Sequence, residues 1–214
     1  KEMVAPLTKS EEKLYDDIHF DIAGLEANIG SKTVIQPTIQ EALQARWRYP
    51  SLSLHGIEGA FYEKGAKTVI PAQVSGKFSI RTVPDIDAAK LDQCVFDYVK
   101  DVFKKLNSKN TMNVSLVHGG DYWVADPSNW NYRAAAKATK AVWGLDPDFT
   151  REGGSIPITL SFQELLKTSV VLLPLGRGDD GAHSTNEKFD ISNYVEGTKT
   201  LAAYLYYLAE EKKD

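Results

Sequence analysis

Val170-Val171-Leu172-Leu173-Pro174-Leu175 is a continuous apolar run, the pattern of a strand covered on both faces by other elements. Helical patterns surround it, from about Tyr132 to Trp143, from Pro157 through Leu166 and from Tyr194 to Glu211. Helices alternating with one buried-type strand predict α/β layering with a parallel sheet. One strand makes no sheet, so the pattern expects partner strands outside these residues.

Upstream the pattern changes. Thr8-Lys9-Ser10-Glu11-Glu12 carries a capping residue and first-turn acids, a helix start, and a second short helix is expected over Ile39–Trp47. Leu52-Ser53-Leu54-His55 and Val74 through Arg81 alternate with period two, as half-buried strands do. Leu91, Val95, Tyr98, Val102 and Leu106 form one helical stripe, and Cys94, inside that pattern, is expected in the core or at its boundary. Met112 to Val117 is read as a further strand. Strand, strand, helix, strand predicts the later part of an α+β sandwich with an antiparallel sheet. The Gly-, Asp-, Pro- and Asn-rich stretch from Gly119 to Asn131 marks the boundary, giving parts 1–124 and 125–214.

The 214 residues are 43% hydrophobic and 25% charged, the balance of an ordinary globular protein. A net charge of -4 argues against a nucleic-acid-binding surface, which needs clustered Lys and Arg. Lys104-Lys105 and Lys212-Lys213 are short and read as solvated helix faces. No apolar run approaches the roughly 18–20 residues of a membrane span. A single cysteine excludes an intrachain disulfide and a cysteine-rich zinc finger, and fits a reducing, cytoplasmic compartment.

Several residues carry candidate chemistry. Asp179-Asp180-Gly181-Ala182-His183-Ser184 puts a histidine among acids and small residues, just past the carboxyl end of the apolar run where α/β sites gather. His183 could ligate a metal through one ring nitrogen, or merely hydrogen-bond within its loop. Adjacent Asp179 and Asp180 are expected to point apart, which disfavours a paired acid and base. In Thr150 to Pro157, Ser155 before Ile156-Pro157 suits a helix N-terminus able to hold a carboxylate; a plain Gly-rich turn is the alternative. His118 leaves a strand end at the domain boundary, and Arg81 ends a strand with a fork that could grip a carboxylate. His19-Phe20-Asp21 has the form of a His-x-Asp metal motif. It is rejected as a ligand pair because it lies in an acidic helical stretch with no strand before it.

Trp47 through Gly59, Gly65 through Pro71, Gly76 through Arg81, Thr150 through Pro157, and Asp179 through Ser184 with Asn186-Glu187-Lys188 together resemble one family. It is the cytosolic nonspecific dipeptidases, the carnosinase-like branch of the two-zinc aminoacylase and carboxypeptidase superfamily. Within that branch the segments are similar to fungal Cys-Gly metallodipeptidases. The resemblance implies a catalytic domain with two zinc or manganese ions, interrupted by an inserted lid that also dimerises. Residues 1–124 would be the later part of the lid and 125–214 the closing part of the catalytic domain. His183 would be a terminal metal ligand. Arg81, His118, Glu152 and Ser155 would surround the bound dipeptide, and Thr68 would reach the partner subunit's site. The family's other metal ligands, its general base and a lid histidine match nothing here, so the resemblance is to a C-terminal portion that needs its N-terminal portion for activity. Arg177 departs from the small residue often found before the acidic pair.

The implied reaction is hydrolysis of a dipeptide such as Cys-Gly, a step in glutathione degradation. Two other readings stay open. One is a non-catalytic dimerisation module with a retained peptidase fold; the other is an unrelated α/β binding protein using the cleft at His118.

Overall fold

The computed structural model describes residues 2–32, 34–152, 154 and 156–213. Among them the chain forms helices α1 (Lys9–Asp16), α2 (Ile22–Ile29), α3 (Ile39–Trp47), α4 (Ala88–Lys105), α5 (Trp130–Trp143), α6 (Pro157–Leu166) and α7 (Ile191–Glu210). Two strands join them, β1 (Ser51–Glu58) and β2 (Ser75–Arg81). The mixed α and β class expected from the sequence is what forms. The elements fall into two compact units, one holding the residues through Ala5 and Arg48–Tyr122, the other Pro6–Trp47 and the residues from Trp123 onward. Compactness therefore groups Pro6–Trp47 with the later residues, a different grouping from the division into 1–124 and 125–214.

In the first unit β1 and β2 pair antiparallel, Leu52 opposite Ile80 and Leu54 opposite Phe78. Alternation sets this register, because side chains two residues apart share a face. The ladder slips between Leu54 and Gly56, leaving His55 as an extra residue, with Ile57 opposite Gly76. That bulge keeps Ile57 on the face of Leu52 and Leu54, which an uninterrupted strand would not do. Gly56 takes φ 139° there, a backbone that side chains resist. The resulting apolar face of Leu52, Leu54, Ile57 and Phe78 is exposed.

Helix α4 starts at Asp87, whose carboxylate accepts from the Lys90 N–H at 3.0 Å. Its half-buried side is Leu91, Val95, Phe96, Val99 and Phe103. Tyr98, Val102 and Leu106, placed on one stripe by spacing, are exposed. The covered arc is turned toward the two phenylalanine rings, which have more apolar surface to hide. Cys94 lies one turn from Tyr98 on the uncovered side and is exposed, not core. The strand expected over Met112–Val117 does not form: no ladder hydrogen bonds reach it among the described residues, and Val117 is almost fully exposed.

The second unit is built on α5 and α7. Ala134, Ala135 and Ala138 are buried on α5, and Gly197 and Thr200 on α7. Small side chains on both faces let the backbones approach closely, and buried polar groups then pair across the contact. The Trp143 indole N–H donates to Thr200 Oγ1 at 2.9 Å, and the Tyr204 hydroxyl donates to Asn131 Oδ1 at 2.5 Å. Arg133 and Lys137 both bond the Glu211 carboxylate at the far end of α7.

The apolar run 170–175 packs beneath α7; a Cβ on Gly197 would stand 2.9 Å from Leu175 Cδ1. It is half-buried but forms no strand, which corrects the parallel-sheet expectation for the described residues. A ladder needs a neighbouring strand, and none lies there among the described residues; side chains bond the carbonyls at the two ends of the stretch. The Asn131 amide donates to the Ser169 carbonyl at 2.9 Å, and the Asn193 amide to the Leu175 carbonyl at 2.8 Å.

Helix α1 begins where Thr8 Oγ1 accepts from the Glu11 N–H at 3.2 Å. Tyr15 of α1 stacks on Trp47 of α3 at 6.4 Å, beside fully buried Leu43. Helix α2 has no counterpart in the sequence reading. Asp21 caps it by accepting from the Ala23 and Gly24 N–H groups at 3.0 and 2.9 Å, and Gly30 closes it with φ 76°. His19 and Phe20 thus lie between two helices, not within one. No helix of the described residues is long and apolar enough to cross a membrane.

Candidate functional site

The residues 176–190 form a loop closed by its own charges. Lys188 N–H donates to the Asp180 carbonyl at 2.9 Å, and its ammonium reaches Asp180 Oδ1 at 3.2 Å, Asp179 Oδ2 at 3.3 Å and Asp190 Oδ1 at 3.2 Å. The second oxygen of buried Asp180 accepts from the Arg177 N–H at 2.7 Å. Arg177 also pairs with Asp179 and Asp190, each at 3.1 Å. A Cβ on Gly176 would lie 2.8 Å from Asp180 Oδ2, so a small residue is what this approach requires.

Asp179 and Asp180 therefore do not diverge as the sequence reading expected: both converge on one lysine. The hydrogen bond from Lys188 holds the Asp179 carboxyl below its ordinary range, aided by Arg177. Desolvation opposes the charge on Lys188, but its bonds to Asp180, Asp190 and Asp179 outweigh that and hold its pKa above the ordinary lysine value. An acid held ionised in this way accepts hydrogen bonds and does not deliver protons near neutral pH.

His183 sits at the tip of this loop, exposed, with φ 66°. A non-glycine residue in the left-handed region costs about 1–2 kcal/mol, so the surroundings must hold it there. Gly181, at φ 63°, begins the turn, Ser184 N–H closes it on the Gly181 carbonyl at 2.8 Å, and His183 N–H donates to Glu187 Oε2 at 3.3 Å.

The stretch 146–152 carries Glu152. It is tied to the N-terminal helices of the same unit by three ion pairs: His19 with Asp148, Arg151 with Glu11 at 3.1 Å, and Arg46 with Glu152. Asp148 accepts from both the His19 N–H at 2.9 Å and the ring Nδ1 at 3.0 Å, which raises the histidine's pKa. His19 and Asp21 are thus committed to a loop clasp and a helix cap, in keeping with their rejection as a ligand pair. Ser155 lies outside the described residues. Helix α6 does begin with Pro157 at its first turn, although no side chain caps it among the described residues.

In the first unit Arg81 is the last residue of β2, exposed, opposite Ser51. Among the described residues its guanidinium meets no carboxylate. His118 is exposed, but leaves no strand. Thr68 is exposed in the connection between β1 and β2, next to Lys67, whose ammonium stands 5.6 Å from the Phe61 ring centre.

As for a metal, His183 is a suitable single donor, with its ring free of the backbone contacts that hold the turn. No group of three or more His, Cys, Asp or Glu side chains that could hold an ion occurs among the described residues. The residues present fit one corner of a metal site. The ion-pair clamp around Lys188 was not legible in the sequence, although the spacing of Arg177, Asp179, Asp180, Lys188 and Asp190 is its only visible signal.

The description peptidase family M20/M25/M40 matches residues 2–207. The chain is 61% identical over its whole length to the Cys-Gly metallodipeptidase DUG1 of Saccharomyces cerevisiae, and spans 44% of that protein. It is 46% identical to the human Beta-Ala-His dipeptidase over 97% of this chain and 41% of that one. The solved structure of the di-peptidase Dug1p from Saccharomyces cerevisiae superposes with a TM-score of 0.91 at 62% identity, covering 98% of this chain and 44% of the other. The chain thus spans less than half the length of the relatives it matches. It belongs to peptidase family M20/M25/M40.

Proposed function

We propose that these 214 residues are the later part of the lid and the closing part of the catalytic domain of a metal-dependent dipeptidase acting on Cys-Gly. The observation that carries the reading is His183, held in a strained left-handed turn by the 176–190 ion pairs, in a chain 61% identical to a Cys-Gly metallodipeptidase. His183 supplies one imidazole to a pair of zinc or manganese ions. Such ions, when bound, lower the pKa of a water and polarise the scissile carbonyl. Arg81 and Ser155 take the carboxylate end of the dipeptide, and His118 and Glu152 line the same substrate. Glu152 enters that role already neutralised in part by Arg46.

Thr68 reaches the site of a partner subunit, so the enzyme works as a homodimer joined through the lid. The uncovered apolar face of Leu52, Leu54, Ile57 and Phe78 supports a lid surface that acquires a partner. The remaining metal ligands and the general base come from the N-terminal portion, and the enzyme acts in the cytoplasm, with no nucleic-acid or membrane partner.

The test is hydrolysis of Cys-Gly by the isolated chain and by the chain joined to its N-terminal portion, each supplied with zinc or manganese. Negligible turnover alone and recovery in the joined protein are expected. Full turnover by the isolated chain would overturn the missing-ligand reading. A joined protein that dimerises in sedimentation but neither binds metal nor hydrolyses the dipeptide would mark a non-catalytic module.

A further inference from the structure

We propose that Lys188 is a positioning residue for the metal site: its ammonium, through Asp180, closes the base of the loop whose tip presents His183. This rests on the reading of His183 as a ligand. The first observation is that the loop closes at one point. Asp180 and Lys188 face each other through a backbone hydrogen bond of 2.9 Å and an ion pair of 3.2 Å, and residues 181–187 hang from that junction. The second is that the junction is itself braced. Asp180 is buried, its other oxygen is bound by the Arg177 N–H, and Lys188 gathers Asp179 and Asp190 as well. The third is that His183 needs such support, since its φ of 66° is unfavourable for a histidine in a free chain.

The Lys188 ammonium bonds all three acids, while the Arg177 guanidinium meets Asp179 and Asp190 and its N–H meets Asp180, so removing the lysine charge takes one bond from every branch of the junction. Glu187, the next residue back, accepts the His183 N–H and links the strained turn to the lysine side of the junction. A ligand held this way meets a metal without first ordering its loop, whose cost would otherwise be subtracted from the binding free energy.

The experiment titrates the metal-free, complete enzyme with zinc and with manganese, against a chelating indicator, and records its thermal unfolding in parallel. Lys188→Met is expected to weaken metal binding about 10- to 100-fold, the range for residues that orient a metal ligand. Lys188→Arg, which keeps the charge, should recover most of that loss. Asp180→Asn removes the charge that faces Lys188 at the same junction and should weaken binding similarly, so it decides the matter if Lys188→Met does not fold. His183→Ala is the reference. If His183→Ala binds metal as the parent does, the ligand reading fails. If His183→Ala loses binding while folded Lys188→Met, or Asp180→Asn in its place, binds as the parent does, the ligand reading stands and the positioning role is overturned.

Discussion

Two of the loops that carry candidate site residues are held in opposite ways. The loop at 176–190, with His183, is closed by charges within a few residues of one another, so its geometry is local property. The connection at 59–74, with Thr68, is closed at its stem by close backbone approach. A Cβ on Gly59 would stand 2.1 Å from the Gln73 carbonyl oxygen, and Gly59 takes φ 88°. Toward its tip the Lys67 ammonium stands over the Phe61 ring. The contrast teaches that the turn at His183 is shaped by charges of its own loop, whereas the stretch around Thr68 is fixed at its stem and not by charges of its own.

The largest expected effect is on catalysis by the complete enzyme. His183→Ala should lower kcat/KM by roughly 100-fold or more, beyond the loss typical of residues that only orient a ligand. Thr68→Ala should cost about 10-fold or less, the worth of one neutral hydrogen bond of about 0.5–1.5 kcal/mol. Steady-state kinetics on Cys-Gly measures both, and equal losses would break the comparison.

Stability comes next. Gly59→Ala should destabilise by about 2–3 kcal/mol in denaturant titration, because a rigid carbonyl blocks the methyl and φ is positive. Gly181→Ala should cost only about 1 kcal/mol, since its obstacle is the Ser184 hydroxyl at 2.7 Å, which can rotate away. A reversed order would mean that the Gly59–Gln73 stem yields more easily than the turn at Gly181.

A pH series sharpens the same contrast. Asp179 has a depressed pKa, so its contribution is present above the ordinary carboxylate value and lost as pH falls through the lowered one. Lys188 has a raised pKa, so its contribution is complete below the ordinary lysine value and lost as pH rises through the higher one. Hydrogen-exchange protection at the Lys188 and Arg177 amides should hold between those limits and fall outside them. Amides at 60–72 should show no such window.

The smallest effect concerns the Glu152 stretch, which is fastened by ion pairs over long sequence separations. His19 has a raised pKa, so its pairing with Asp148 stabilises fully below about pH 6.5 and is lost as pH rises through the folded value. Asp148→Asn should lower the melting temperature more at pH 5.5 than at pH 8.5. Equal shifts at both pH values would show that the neutral hydrogen bonds, not the charge, hold the stretch.

What was legible follows from range. The α1 start at Thr8, the alternation in β1 and β2, and Pro157 opening α6 are signals carried by a few neighbouring residues. Helix α2 was missed because its apolar residues suggest no stripe and its caps, Asp21 and Gly30, are ordinary in isolation. The fate of Cys94 was misjudged because a helical stripe says which residues share a face, not which face another element covers. The convergence of Asp179 and Asp180 on Lys188 was hidden because a turn, not an extended chain, joins them.

By itself, the sequence determined the class of elements, the two alternating strands and the family, since those depend on residue type at short spacing. Only the tertiary structure decided that Pro6–Trp47 packs with the later residues, that Asn131 and Asn193 bond the Ser169 and Leu175 carbonyls at the ends of the apolar stretch, and that His183 stands in a left-handed turn over an ion-pair clamp. The physical reason is common to all three. Backbone groups and charges must find partners when buried, and which partner is within reach is set by the folded path of the chain.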